Sequence, residues 1–220
     1  MTIAAAAKSP LRPRRKQADR TAETRSALIE AAIQVIHRTG YNSATTAVIA
    51  DEAGVSRGAI IYHFNTRAQL MSEVIASVYE REHRQYELLQ KQGHDGSAIG
   101  EWPDMLWEVL SQPSGMAVIE ILQASRSDRE LAELVRPAQE RIELISAKGM
   151  LGRFGWTDEK EMLAAVRLFV WAIRGLSIAQ VLVRDPSEIE RSIRFFRKMV
   201  THAFGSGRMS EDLQVQTPSV

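Results

Sequence analysis

TTAVIADEAGVSRGAIIYHF, residues 45–64, carries two short helical patterns on either side of a glycine. Thr45 and Ser56 each stand where a hydroxyl can cap the helix that follows, accepting from backbone N–H groups that a first turn leaves unpaired. The helices so predicted run from about Thr46 to Ala53 and from Arg57 to His63. Ala50 is small, Gly54 follows four residues later, and Val55 and Ile60 are apolar. Two helices crossing at a wide angle through a tight turn need this set. The small residue permits approach, the glycine adopts the positive-φ turn, and the apolar residues fill the crossing. Such a helix-turn-helix lays its second helix in the DNA major groove. An ordinary pair of core helices can share the Ala-xxx-Gly spacing, but two features favour the groove reader. The free face of the second helix is Arg57, Gly58, Ala59, Tyr62 and His63, donors interleaved with small residues. A helix this short is also unstable unless its neighbours hold it.

Outward from this unit, the chain of 220 residues is 45% hydrophobic, enough for one large domain or a small one joined to a larger one. It contains no cysteine, which excludes disulfides, thiolate zinc sites and cysteine nucleophiles. No apolar run reaches the roughly 18 residues of a membrane span. The N-terminal MTIAAAAKSPLRPRRK lacks the apolar core and cleavage site of a secretion signal. The expectation is a soluble cytoplasmic protein without membrane attachment. A net charge of +1 conceals an asymmetry, since residues 1–70 hold ten Lys/Arg against five Asp/Glu and the remainder 18 against 22. A basic head on an acidic body points to a polyanion as the head's partner.

Residues 1–19 read as a flexible basic arm, rich in alanine, proline and arginine, that can enter a neighbouring minor groove. Helical patterning begins at Thr21 as N-cap, and Leu28, Ala31, Ala32, Val35 and Ile36 form one stripe that ends at Gly40. A long helix is predicted over Thr66–Lys91, with Leu70, Val74, Val78 and Leu88 on one face. Further helical segments fall near 101–111, 114–125, 128–150, 158–183 and 187–204, separated at Pro113, Ser127–Asp128, Gly152–Gly155 and Asp185–Pro186. No alternation long enough for a strand occurs. The class is all-α with about nine helices. Its predicted parts are the arm, a helix-turn-helix domain at 20–66, a larger helical domain at 67–204 and a tail at 205–220.

At these residues the sequence resembles the tetracycline-repressor (TetR) family of bacterial regulators. The resemblance lies in Gly40-Tyr41, Ile49-Ala50, Ala53-Gly54-Val55-Ser56, Arg57-Gly58, His63-Phe64 and Arg67 before Leu70, and it covers residues 24–70. Beyond them only helix number and order match. Family members commonly carry a tyrosine at the position of Ile61 whose hydroxyl meets a phosphate; here the aromatic is Tyr62, itself a family contact position. The family's usual threonine ahead of the second helix's cap is replaced by Ala44. The resemblance implies a sequence-specific transcriptional regulator, a repressor, acting as a homodimer on a palindromic double-stranded operator and released by a small-molecule effector. Thr45, Thr46, Ser56, Tyr62, His63 and Arg67 then hold phosphates, each a donor at a helix end or its flank. Ala47, Arg57, Gly58 and Ala59 lie where base edges are read, and the fork of Arg57 matches guanine O6 and N7. Thr45 and Ser56 are caps in any case, Tyr62 can equally pack, and a solvated position competes with base readout for Arg57.

The remaining chemistry is sparse. The five histidines are scattered, and Glu80-x-x-His83 matches only one half of the paired motif of di-iron helical bundles. No nucleophile elbow, phosphate loop or HExxH occurs, so neither catalysis nor a cofactor is expected. Two alternatives remain, a protein-binding helical adaptor and, further off, a metal-dependent bundle enzyme. Both leave the basic head and Ser56–His63 unexplained. By the resemblance, Trp102, Met105, Leu106, Met116, Ile119, Leu122, Met150, Trp171 and Arg174 are candidates to line an effector cavity, though plain core would use the same residues. The effector expected is apolar or aromatic, with an acidic group for Arg174. The last two helices each carry two apolar stripes. Val166, Val170, Ile173, Ile189, Ile193, Phe196 and Val200 are assigned to a two-fold interface forming a four-helix bundle, with Phe195 and Met199 offset.

Overall fold

The computed structural model describes residues 17–96, 98–154 and 157–204. The arm as far as residue 16 and the tail from 205 lie outside the described residues. Every regular element among the described residues is helical. The order is α1 (Gln17–Thr39), α2 (Thr46–Glu52), α3 (Arg57–His63), α4 (Arg67–Lys91), a 3-10 turn (Ile99–Glu101), α5 (Trp102–Leu110), α6 (Pro113–Ala124), α7 (Arg129–Phe154), α8 (Glu159–Ala179) and α9 (Ser187–Phe204).

The stripe of α1 is buried as its spacing requires, with Leu28, Ala32, Val35 and Ile36 fully enclosed. Its start differs from the expectation. Thr21 is not a cap but lies inside a helix that begins at Gln17, because no breaker separates the two and Asp19 suits the first turn. Residues 17–19 therefore belong to α1. Along α4 the buried stripe runs Leu70, Val74, Val78 and then Glu82 and Leu89, leaving Leu88 exposed. The helical period carries the core face through a carboxylate, which is why an apolar-only reading chose Leu88. Pro113 opens α6, and Pro137 sits within an unbroken α7, which continues past Gly152.

Two apolar clusters result. The first joins α1 to α4 with Ala117, Val118 and Ile121 of α6 and Leu131 and Val135 of α7. The second gathers α5, α8, α9 and the C-terminal ends of α4 and α7. Among the described helices, α8 alone is long and apolar enough to cross a bilayer, although its apolar residues form no unbroken run. Arg167 and Arg174 interrupt it, and both find carboxylates within the fold, Glu143 at 2.8 Å and Glu82 at 3.6 Å.

Candidate nucleic-acid interface and effector cavity

The turn between α2 and α3 is built as its residues dictate. Thr45 accepts from Val48 N at 3.3 Å and Ser56 from Ala59 N at 3.2 Å, so both helices are capped at the predicted positions. Gly54 has φ +65°, the left-handed conformation, and Val55 N donates back to Ala50 O at 3.0 Å. Ile49 and Ala50 of α2 meet Ile60 and Phe64 in the first cluster, which fixes the inner side of α3. Its outer side presents Ser56, Arg57, Gly58, Ile61 and Tyr62 to solvent, Ile61 at 68% and Tyr62 at 75% exposure. Ala59 and His63 are half-buried, and Thr46 and Ala47 at the start of α2 likewise. Ile61, left out of the candidate contacts, thus belongs to the free face. Its spacing of four and three residues after Arg57 and Gly58, which puts it on their face of the helix, is the sequence signal that could have placed it there.

Three arginines have structural duties. Arg67, a candidate phosphate contact, lies over the Tyr41 ring at 3.9 Å and donates from Nε to Ala44 O at 3.0 Å and from a guanidinium nitrogen to Tyr41 O. Its donors are directed at the turn after α1, which corrects the expectation of a free phosphate ligand. Arg25, missed from sequence, joins three elements. It donates to His63 O at the end of α3 (3.3 Å), pairs with Glu73 of α4 at 2.7 Å, and stacks over Phe64 at 4.7 Å. Arg38 fastens α1 to α2 through both oxygens of Glu52.

A capped, buried-backed helix with a donor-bearing outer face matches the geometry by which helix-turn-helix proteins enter the major groove. The family model described as bacterial regulatory proteins, tetR family, matches residues 28–74. An uncharacterized HTH-type transcriptional regulator of Mycobacterium tuberculosis is 33% identical over 193 residues, 85% of this chain and 97% of that protein. The chain belongs to the tetR family. It is similar also to the HTH-type transcriptional regulator CymR of Pseudomonas putida, 28% identical over 183 residues, 81% of this chain and 89% of CymR. A transcriptional regulator from Rhodococcus sp. Rha1 has the same fold, with a TM-score of 0.62 at 17% identity over 81% of this chain and 96% of that one. So does the multidrug binding protein EbrR, solved with imidazole, with a TM-score of 0.55 at 22% identity over 80% and 93%. The chain is a DNA-binding transcriptional regulator.

Behind this reader, the regulator holds two adjoining cavities among α4, α5, α7 and α8. The larger, about 160 Å³, is walled by Tyr86, Trp102, Leu106, Met150, Val166 and Phe169 among others. The smaller, about 70 Å³, includes Tyr79, Glu82, Glu143, Trp171 and Arg174. Trp102, Leu106, Met150, Trp171 and Arg174 are therefore brought together as expected from sequence. Four others are not. Met105 is enclosed in the second cluster, Leu122 packs on the first, and Met116 and Ile119 face a cleft beside Tyr41 and Arg67. The reason is helical phase: on α5 and α6 these side chains are turned into the apolar clusters or the outer cleft and line neither cavity.

Arg174 also departs from its expected role. It is 3% exposed, donates to Gly115 O at 3.3 Å, and faces Glu82 at 3.6 Å, so its charge is already balanced inside the fold. Burial pushes Glu82 up to about 7, against the pull of the Arg174 charge. Burial likewise raises Tyr79 well above the ordinary phenol range, so its hydroxyl stays protonated and donates to Gln139.

The interface stripes are reversed relative to expectation. Val166, Ile173, Ile189, Ile193 and Val200 are buried within this chain, and Val170 and Phe196 are half-buried against the second cluster. The free apolar stripe is instead Leu168, Trp171 and Ile178 of α8 with Phe195 and Met199 of α9. Both stripes are apolar, and nothing in composition alone states which one the chain's own core consumes.

Proposed function

We propose that the regulator is a cytoplasmic repressor that binds a palindromic operator as a homodimer and is released by a small apolar or aromatic effector. The observation that carries this reading is the joint presence of a donor-bearing reader helix, an apolar two-helix face and a lined cavity between them. On the operator, Arg57, Gly58, Ala59 and Ala47 lie against base edges. Thr45, Thr46, Ser56, Tyr62 and His63 hold phosphates, with Ile61 in apolar contact beside them. The reader unit spans residues 17–66 and the effector and dimer unit 67–204.

Leu168, Trp171, Ile178, Phe195 and Met199 supply the two-fold interface, because large exposed apolar residues gathered on one helix pair are covered most economically by the same pair of a second copy. The effector occupies the cavities around Tyr86, and EbrR, of the same fold, takes a small molecule. A contiguous route connects cavity to reader. Arg174 holds Gly115 of α6, and Glu120 of α6 accepts from Tyr41 N in the turn that Arg67 braces. Thr66 at the start of α4 donates to Glu130 of α7 at 2.7 Å. Movement of α4 or α6 by an effector alters the separation of the two reader helices from the roughly 34 Å of one DNA turn. Differential affinity for the two states supplies the coupling, typically about 1–3 kcal/mol.

The test is in-vitro selection of operators from random duplex DNA, with sedimentation of the complex. A palindrome with two protomers bound is expected. Selected sites without two-fold symmetry, or a single bound protomer, contradict the reading.

A further inference from the structure

Among the described residues, Glu82 Oε1 is the one buried side-chain oxygen or nitrogen with no hydrogen-bond partner. It lines the smaller cavity, and its residue is only 5% exposed. Arg174 stands 3.6 Å away, within ion-pair range but beyond hydrogen-bond reach, and spends one of its nitrogens on Gly115 O. The other charges of the walls are otherwise engaged. Glu143 is taken by Arg167 at 2.8 Å, and Glu87 is solvated at the rim beside His83, its side chain 57% exposed. A buried acceptor left unmade carries its full desolvation cost, so whatever occupies this cavity is favoured by bringing a donor to it. The neighbouring donor, Arg174, calls for an acceptor in the same place. A hydroxyl is both.

The larger cavity adjoins at Tyr86, whose ring lies 6.1 Å from that of Trp102 at a tilted angle. Its volume of about 160 Å³ is close to the roughly 150 Å³ of apolar cavities that hold one benzene ring. We propose, resting on the reading of this cavity as the effector site, that the effector is a neutral single-ring phenol. Its hydroxyl donates to Glu82 Oε1 and accepts from Arg174, while its ring lies between Tyr86, Trp102 and Phe169. An acid directed at Arg174 is disfavoured, because it sets a second negative charge beside Glu82 where only one guanidinium balances both.

Three probes separate these ideas: para-cresol, its methyl ether para-methylanisole, and para-toluate, each titrated into the full-length regulator by calorimetry and assayed for release of selected operator DNA. The expected result is binding and release by para-cresol, with the ether weaker by about tenfold to a hundredfold, the range of a lost hydrogen bond to a charged group. A Glu82→Leu, Arg174→Met double variant, which keeps the walls apolar, should bind cresol and ether alike. Equal binding of cresol and ether by the unaltered protein overturns the hydroxyl assignment while leaving the cavity as effector site. Toluate as the tightest binder overturns it in favour of an acid. If none of the three binds, the assignment falls together with the cavity reading on which it rests.

Discussion

Replacing Arg174 by methionine removes the partner of a carboxylate that stays behind in a closed interior. Arg174 and Glu82 are 3% and 5% exposed, so water can screen neither. The comparison is made above about pH 8, where the Glu82 carboxyl is ionised in the unaltered protein. Breaking a buried pair on one side costs about 3–5 kcal/mol while the group left behind stays charged. Against a typical stability of about 5–15 kcal/mol that is a large share. With a urea m-value of about 3 kcal/mol/M, the midpoint should fall by about 1–2 M at fixed protein concentration. The Glu82→Leu, Arg174→Met double variant should return to within about 1 kcal/mol of the unaltered protein, since neither charge is then buried. The same pair predicts a pH signature. Glu82 is raised by burial to about 7 from 4.5, so the folded state holds a proton that the unfolded chain releases earlier. That contribution is complete below about pH 4.5 and is lost as pH rises through about 7. Glu82→Gln should flatten this part of the stability profile. A single Arg174→Met cost under about 1 kcal/mol, or a double variant as unstable as the single, would refute the reasoning.

Gly54 at φ +65° has open space where a Cβ would stand, so Gly54→Ala should cost only the conformational term of about 1–2 kcal/mol, and Gly54→Asn less, by urea denaturation. Arg25→Met should lower operator affinity about tenfold in a titration while shifting the unfolding midpoint little, because the residue is a third exposed and its work is to hold His63 O and Phe64. Arg25→Lys should not rescue it, lacking the planar fork. Leu168→Glu with Phe195→Glu places charges on side chains that are 65% and 64% exposed in one chain. Sedimentation should find a helical monomer at micromolar concentration; an intact dimer places the interface elsewhere.

The helices and the reader were legible because their signals are local. Caps at Thr45 and Ser56, the glycine at 54 and the periodic apolar residues need no tertiary knowledge, and the structure puts each where its chemistry requires. What could not be read depends on which neighbour a face meets. Val166 and Leu168 are equally apolar, yet one is consumed by the chain's own core and the other left free. Arg67 looked like a phosphate ligand by position, but Tyr41 and the Ala44 carbonyl claim it through contacts 23 to 26 residues away in sequence. Glu82 was invisible for a different reason. A carboxylate on the core stripe of α4 violates the apolar pattern by which that stripe is recognised, and its partner lies on α8.

The measurement that bears most directly on the reader helix is the affinity of selected operator DNA across a salt series, for the unaltered regulator and for Arg57→Ala. The unaltered protein should show log Kobs falling linearly with log salt, by about 0.9 for each phosphate neutralised. Arg57→Ala should lose about 1–3 kcal/mol of discrimination at one base pair of each half-site. A salt slope near zero, or a base preference unchanged by Arg57→Ala, would contradict the assignment of this face to the major groove.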